Sequence, residues 1–126
     1  MKLHYSLILV ASAIAGCATK QLPEPSAPEF RCDMAIAKQA LAGYPRRAAE
    51  KKIEGWVVVT YELDGSAKAK NVRVSESEPI DVFDSSAVRS IADSVFKVGV
   101  VQKRCRQVFQ FNYQRSSGRI ETPVHR

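Results

Sequence analysis

Hydrophobic positions recur with a helical period, then with a period of two, and the switch falls at Gly55. From Tyr44 to Glu54, Ala48, Ala49 and Ile53 form an apolar stripe, with Arg46, Arg47, Lys51 and Lys52 around it. Pro45 stands in the first turn, where its missing N–H is an orphan anyway, and Gly55 reads as a left-handed cap. From Trp56, alternation puts Val57, Val59, Tyr61 and Leu63 on one face of a strand and Trp56, Val58, Thr60 and Glu62 on the other. Asp64-Gly65-Ser66 is a turn signal. The next strand is predicted over Lys68 to Ser75, with Val72 and Val74 inward and room for a bulge at Ala69 and Asn71. Ser75 to Pro79 reads as a loop.

A helix is expected to start at an Asp81 cap and run to Phe96 or Lys97. Asp84 sits in its first turn, and Phe83, Ala87, Val88, Ile91 and Val95 form its apolar stripe. The last strand is predicted over Arg104 to Tyr113, with Phe109, Phe111, Tyr113 and Cys105 sharing one parity. Ahead of these, Met34, Ala37, Ala40 and Leu41 predict a short leading helix over Asp33–Ala42, capped by Asp33 and stopped at Gly43. The expected fold is α+β. It is a small two-layer domain with a three-stranded antiparallel sheet (hairpin, helix, strand), one packed helix and a short leading helical segment.

The two ends read differently. Lys2 followed by the apolar run Leu7–Ile14 is a secretory signal pattern, too short for a spanning helix. Ile14-Ala15-Gly16-Cys17 resembles the bacterial lipobox, which implies lipidation at Cys17 and a membrane anchor without a span. Ala18 after the cysteine favours the outer membrane over the inner, by resemblance to lipoprotein sorting. Pro23, Pro25 and Pro28 mark an extended tether of roughly 40 Å at about 3.1 Å per residue. The expected division is a signal peptide over 1–16, a lipidated Cys and tether over 17–31, the domain over 32–113 and a polar tail over 114–126.

Net charge is +6 over 126 residues, but the cations are dispersed among acids as on a solvated surface. No nucleic-acid signature accompanies them, so no nucleic-acid partner is expected. After cleavage of the leader only His125 remains as a histidine, which removes nucleophile–base and Cys/His metal arrangements. The acids Glu62, Asp64, Glu76, Glu78, Asp81 and Asp84 gather at turns, where solvation explains them better than paired-carboxylate chemistry. No enzyme activity, cofactor or metal is expected. In an exported protein Cys32 and Cys105 are expected to form a disulfide, worth roughly 4 kcal/mol on the chain-entropy estimate. The alternative is two small buried hydrophobes.

Tyr44-Pro45, Ala48 and Ile53-Glu54-Gly55 before an alternating strand resemble the opening of the TonB C-terminal domain family. Asn71-Val72-Arg73-Val74, Ser77 with Pro79, Phe83-Asp84 with Ala87, and Phe109-Gln110-Phe111 continue the resemblance over about 70 residues. Gly65 lies earlier than the family's hairpin glycine, and Ser94, Phe96 and Val98 stand where the family has Trp, an aromatic and Pro. A full TonB also carries an inner-membrane helix and a long Pro-rich span, whereas this chain resembles a lipoprotein with a short tether.

The resemblance implies a final edge strand that accepts an extended TonB-box-like segment of an envelope protein, such as a TonB-dependent outer-membrane transporter. Here that strand offers Arg104, Arg106, Gln107, Val108, Phe109, Gln110, Phe111 and Asn112. The same polar residues would alternatively guard the edge against pairing. Tyr44, Arg46, Arg47 and Trp56 are candidate partner contacts. Trp56 either anchors a partner or lies under the leading helix. An exposed edge also admits a homodimer. The competing function is a structural scaffold of an envelope complex with no part in energised transport.

Overall fold

The computed structural model describes residues 22–113. The signal pattern, Cys17 and the tail over 114–126 lie outside the described residues. Short 3-10 turns at Pro28–Phe30 and Asp33–Ala35 lead into β1 (Ile36–Lys38) and α1 (Arg46–Glu50). The hairpin strands β2 (Gly55–Asp64) and β3 (Lys70–Glu78) follow. The chain continues through α2 (Asp84–Asp93), β4 (Val95–Phe96) and β5 (Val101–Phe111). The main sheet is antiparallel in the order β3-β2-β5, and β1 pairs with β4 in a small second ladder. No helix among the described residues is long and apolar enough to cross a membrane.

The alternation in β2 builds the core. Val57, Val59, Tyr61 and Leu63 are all buried, and α2 adds Ala87 and Ile91 from the other layer. Phe83 stacks on Phe111 at 4.3 Å, and Tyr44 meets both rings edge-on at 5.4 and 5.9 Å. Cys105 and Phe109 of β5 share the parity of Phe111 and are buried with it. Cys32 and Cys105 are joined by a disulfide spanning 73 residues of sequence.

The leading helix is corrected. Only one 3-10 turn forms at Asp33–Ala35, because tertiary partners take the backbone that a helix would need. The Ala35 carbonyl accepts the Lys97 N–H at 2.7 Å, and Ile36 pairs with Phe96. Two buried serines, Ser90 of α2 and Ser94 just past its end, hold Ala40: its N–H donates to Ser94 Oγ at 3.0 Å, and its carbonyl accepts from Ser90 Oγ. Ser90 lies on the buried face of α2 beside Ala87 and Ile91, and Ser94 is the extended residue that caps the helix. Ser94 thus receives the backbone of Ala40.

Other boundaries shift for local reasons. Gly55 is not the cap of α1; it opens β2. A Cβ there would lie 2.1 Å from the Glu78 carbonyl and 2.9 Å from the Phe83 ring. Lys52 takes the left-handed position instead, at φ 52°. Its N–H donates to Ala49 O and that of Ile53 to Ala48 O, a Schellman end. β3 runs through the expected loop to Glu78, followed by a cis Glu78–Pro79 peptide. α2 begins at Asp84, after Asp81 adopts φ 63°, and stops at Asp93 where Ser94 turns extended. β5 starts three residues earlier than expected, at Val101.

Candidate functional site

The outer strands of a three-stranded sheet carry the unpaired backbone groups, so the site is built on the edges. β3 carries irregularities opposite Val58/Val59 and Thr60/Glu62, with Asn71 at φ 49° in the second. Lys70, Arg73 and Glu76 are exposed along it. These features blunt that edge.

β5 pairs with β2 almost continuously, from Gly55↔Phe111 to Thr60↔Arg106. Its only register shift lies between Tyr61 and Leu63. The Arg106 carbonyl accepts from Ser26 Oγ at 2.9 Å, and the Arg104 N–H donates to Gln102 Oε1 at 3.3 Å. Both groups therefore face away from β2. A strand alternates its backbone direction, so Val108 and Gln110 face outward too. No described residue bonds to their backbone from that side. Among the described residues, the edge left open is thus Val108 to Asn112.

The segment ahead of the domain covers the other half. Arg106 Nη1 donates to the Glu24 carbonyl at 2.9 Å and to Ser26 Oγ at 3.0 Å, and Gln102 Nε2 donates to the Glu29 carbonyl at 3.2 Å. Residues 22–30, expected as a spacer, are in this part docked on the strand they precede. Sequence reasoning missed Glu24, Ser26, Glu29 and Gln102, because none belongs to a periodic pattern.

The expected site residues divide by parity. Arg104 is exposed, and Arg106, Val108, Gln110 and Asn112 are half-buried with the parity opposite to the core residues of β5. Phe109 and Phe111 point into the core, at 5% exposure each, so they offer a partner only backbone. Gln107 shares their parity and is half-buried.

Tyr44 is held inside the domain. Its hydroxyl donates to the Ile53 carbonyl, and its rings of contact are Phe83 and Phe111. Burial pushes its phenol up, helped by the nearby Glu54 carboxylate and by Tyr113. Arg46 pairs with Glu50 at 3.0 Å one turn on, an exposed pair of small worth. Arg47 is exposed on the same short helix. At the exit of β5, the Tyr113 N–H donates to Glu54 Oε1 and its ring lies 5.8 Å from Lys52 Nζ.

Trp56 lies between Glu78 of β3 and Gln110 of β5, on the face of β2 that also carries the fully buried Val58. Its indole Nε1 is buried, with no hydrogen-bond partner among the described residues. The leading segment is bonded at Ala40 to Ser90 and Ser94. Further along the side of Trp56 is a concavity of about 350 Å³ lined by Arg73, Lys103, Arg104 and Arg106 with Glu62 and Phe30. Asn71 Nδ2 holds the Glu62 carboxylate at 2.9 Å. Among the described residues no group of three or more His, Cys, Asp and Glu is placed to hold a metal.

Comparison with known proteins places this arrangement. The family described as Gram-negative bacterial TonB protein C-terminal matches residues 41–114. A solution structure of the Pseudomonas aeruginosa TonB C-terminal domain is similar at 26% identity and TM-score 0.50, over 60% of this chain and 84% of that one. A structure from work on the TonB2 protein of Vibrio anguillarum is similar in fold at TM-score 0.50 and 23% identity. That likeness covers 73% of this chain and 97% of the other. No curated protein sequence matches.

Proposed function

Because the chain belongs to the family of Gram-negative TonB C-terminal domains, we propose that it is a non-catalytic binding domain of the cell envelope that takes up an extended protein segment on the β5 edge. The observation that carries this reading is the outer backbone of Val108 to Asn112, unpaired among the described residues, on a sheet whose other edge is blunted. An incoming strand would gain main-chain hydrogen bonds there, while Arg104, Arg106, Gln110 and Asn112 set its register through their side chains. The partner is an envelope protein with a TonB-box-like segment, such as a TonB-dependent outer-membrane transporter. Arg46, Arg47 and Trp56 are the proposed secondary contacts. Lipidation at Cys17 holds the domain to a membrane facing the periplasm, and the outer membrane is the favoured one.

The test is Val108→Pro. Its backbone N–H faces outward, so the substitution removes a docking donor but no ladder bond to β2. Binding of a synthetic TonB-box peptide by calorimetry is expected to be lost while the melting temperature stays close to that of the parent. Undiminished binding by the folded variant would rule out addition at this edge.

A further inference from the structure

We propose that Glu24–Glu29 form a built-in cover over the first half of the docking edge, which confines a partner strand to Val108–Asn112 until the cover is lifted. The proposal rests on the strand-addition reading above and concerns the regulation of that same site.

The cover uses the groups that a partner would need. Ser26 Oγ occupies the Arg106 carbonyl at 2.9 Å, and the Arg106 guanidinium is turned onto the Glu24 carbonyl and Ser26. Gln102 holds the Glu29 carbonyl from the same strand and also takes up the Arg104 N–H. A 3-10 turn over Pro28–Phe30 then brings the chain to Cys32, whose disulfide to Cys105 fastens it to β5. Fastening at one end keeps the segment at high local concentration over the strand, so it recloses after release.

The composition of the cover makes it removable. Pro23, Pro25 and Pro28 have no N–H to give, so the segment cannot become a fourth strand with a continuous ladder. Four side-chain hydrogen bonds hold it instead, each of modest net worth. A partner with ordinary residues at these positions offers the regular backbone bonds that the cover lacks.

The experiment uses the full chain with the double substitution Ser26→Ala and Gln102→Ala, neither of which touches Val108–Asn112. Amide exchange at Phe30 and Arg31 reads the cover without any ligand and is expected to quicken; unchanged exchange overturns the proposal. A synthetic TonB-box peptide is then titrated into both proteins. The parent is expected to shift amides from Gln107 onward only. The variant is expected to bind about tenfold tighter, with new shifts at Arg104 and Arg106. Equal affinity and equal shift maps would overturn the cover and leave the docking edge standing. Binding by neither protein would remove the docking reading itself, and the cover with it.

Discussion

The two edges of this sheet are closed by different means. β3 is blunted by its own chain: two irregularities, a left-handed Asn71, and exposed Lys70, Arg73 and Glu76. β5 is nearly regular, and what lies on its first half is a proline-bearing segment held by side chains and one disulfide. An irregular backbone cannot be straightened without rebuilding the hairpin. A docked segment lifts off at the expense of a few weak bonds. That difference is the physical ground for proposing β5 as the edge that exchanges partners and β3 as the one protected against them.

The largest effect is expected at the disulfide. Cys32→Ser with Cys105→Ser removes a cross-link across 73 residues and is expected to lower stability by about 4 kcal/mol, read by urea unfolding. An unchanged midpoint would mean that β5 is held without it. The next probe is the corner beside β3. Gly55→Ala puts a methyl 2.1 Å from the Glu78 carbonyl and is expected to cost about 2–4 kcal/mol in the same assay. A neutral result would show that the β3 edge yields more readily than the comparison allows.

Tyr61, paired with Cys105, gives a pH probe beneath the covered half of β5. Burial, then the Asp33 carboxylate, pushes its phenol far above the usual range. Below about pH 10 the phenol is protonated in both folded and unfolded chains. Above it only the unfolded chain ionises, so stability falls by about 1.4 kcal/mol per pH unit. Tyr61→Phe should make that slope clearly shallower, leaving the share of the Tyr44 phenol, as measured by denaturant titrations between pH 9 and 11. A slope that survives the substitution unchanged would assign it to another group. The smallest effect is expected for Trp56→Phe, between the two edges. It removes a buried donor that has no acceptor among the described residues, and stability should change by less than about 1 kcal/mol. A larger loss would show that the indole makes a bond of value.

What the sequence reveals is what repeats locally. The alternation of β2, the stripe of α2 and the aromatic parity of β5 are each decided by burial of every second, or every third and fourth, side chain. The three-stranded antiparallel sheet holds, as do the buried faces: Val57, Val59, Tyr61 and Leu63 of β2, Phe83, Ala87 and Ile91 at α2, and Cys105, Phe109 and Phe111 of β5. Val58, however, is buried as well, and Val95 lies in β4 beyond the helix. What is hidden depends on partners distant in sequence. Asp33–Ala42 has helical spacing but is drawn out by Ser90, Ser94 and β4. Gly55 reads as a cap until the Glu78 carbonyl is seen against it. Polar Ser90 and Ser94, one turn apart on an otherwise apolar stripe, were the one available hint that a backbone segment docks there. The edge strand was legible from its parity. Its cover was not, since Glu24, Ser26 and Glu29 act through single contacts with no period.

The central claim is that β5, and not β3, is the exchanging edge. The direct measurement is an amide-shift map of the full chain titrated with a synthetic TonB-box peptide. Saturable shifts concentrated over Gln107–Asn112, with Lys70–Glu78 undisturbed, are the expected result. Shifts centred on Lys70–Glu78, or none on either strand with the domain folded and the disulfide intact, would contradict it.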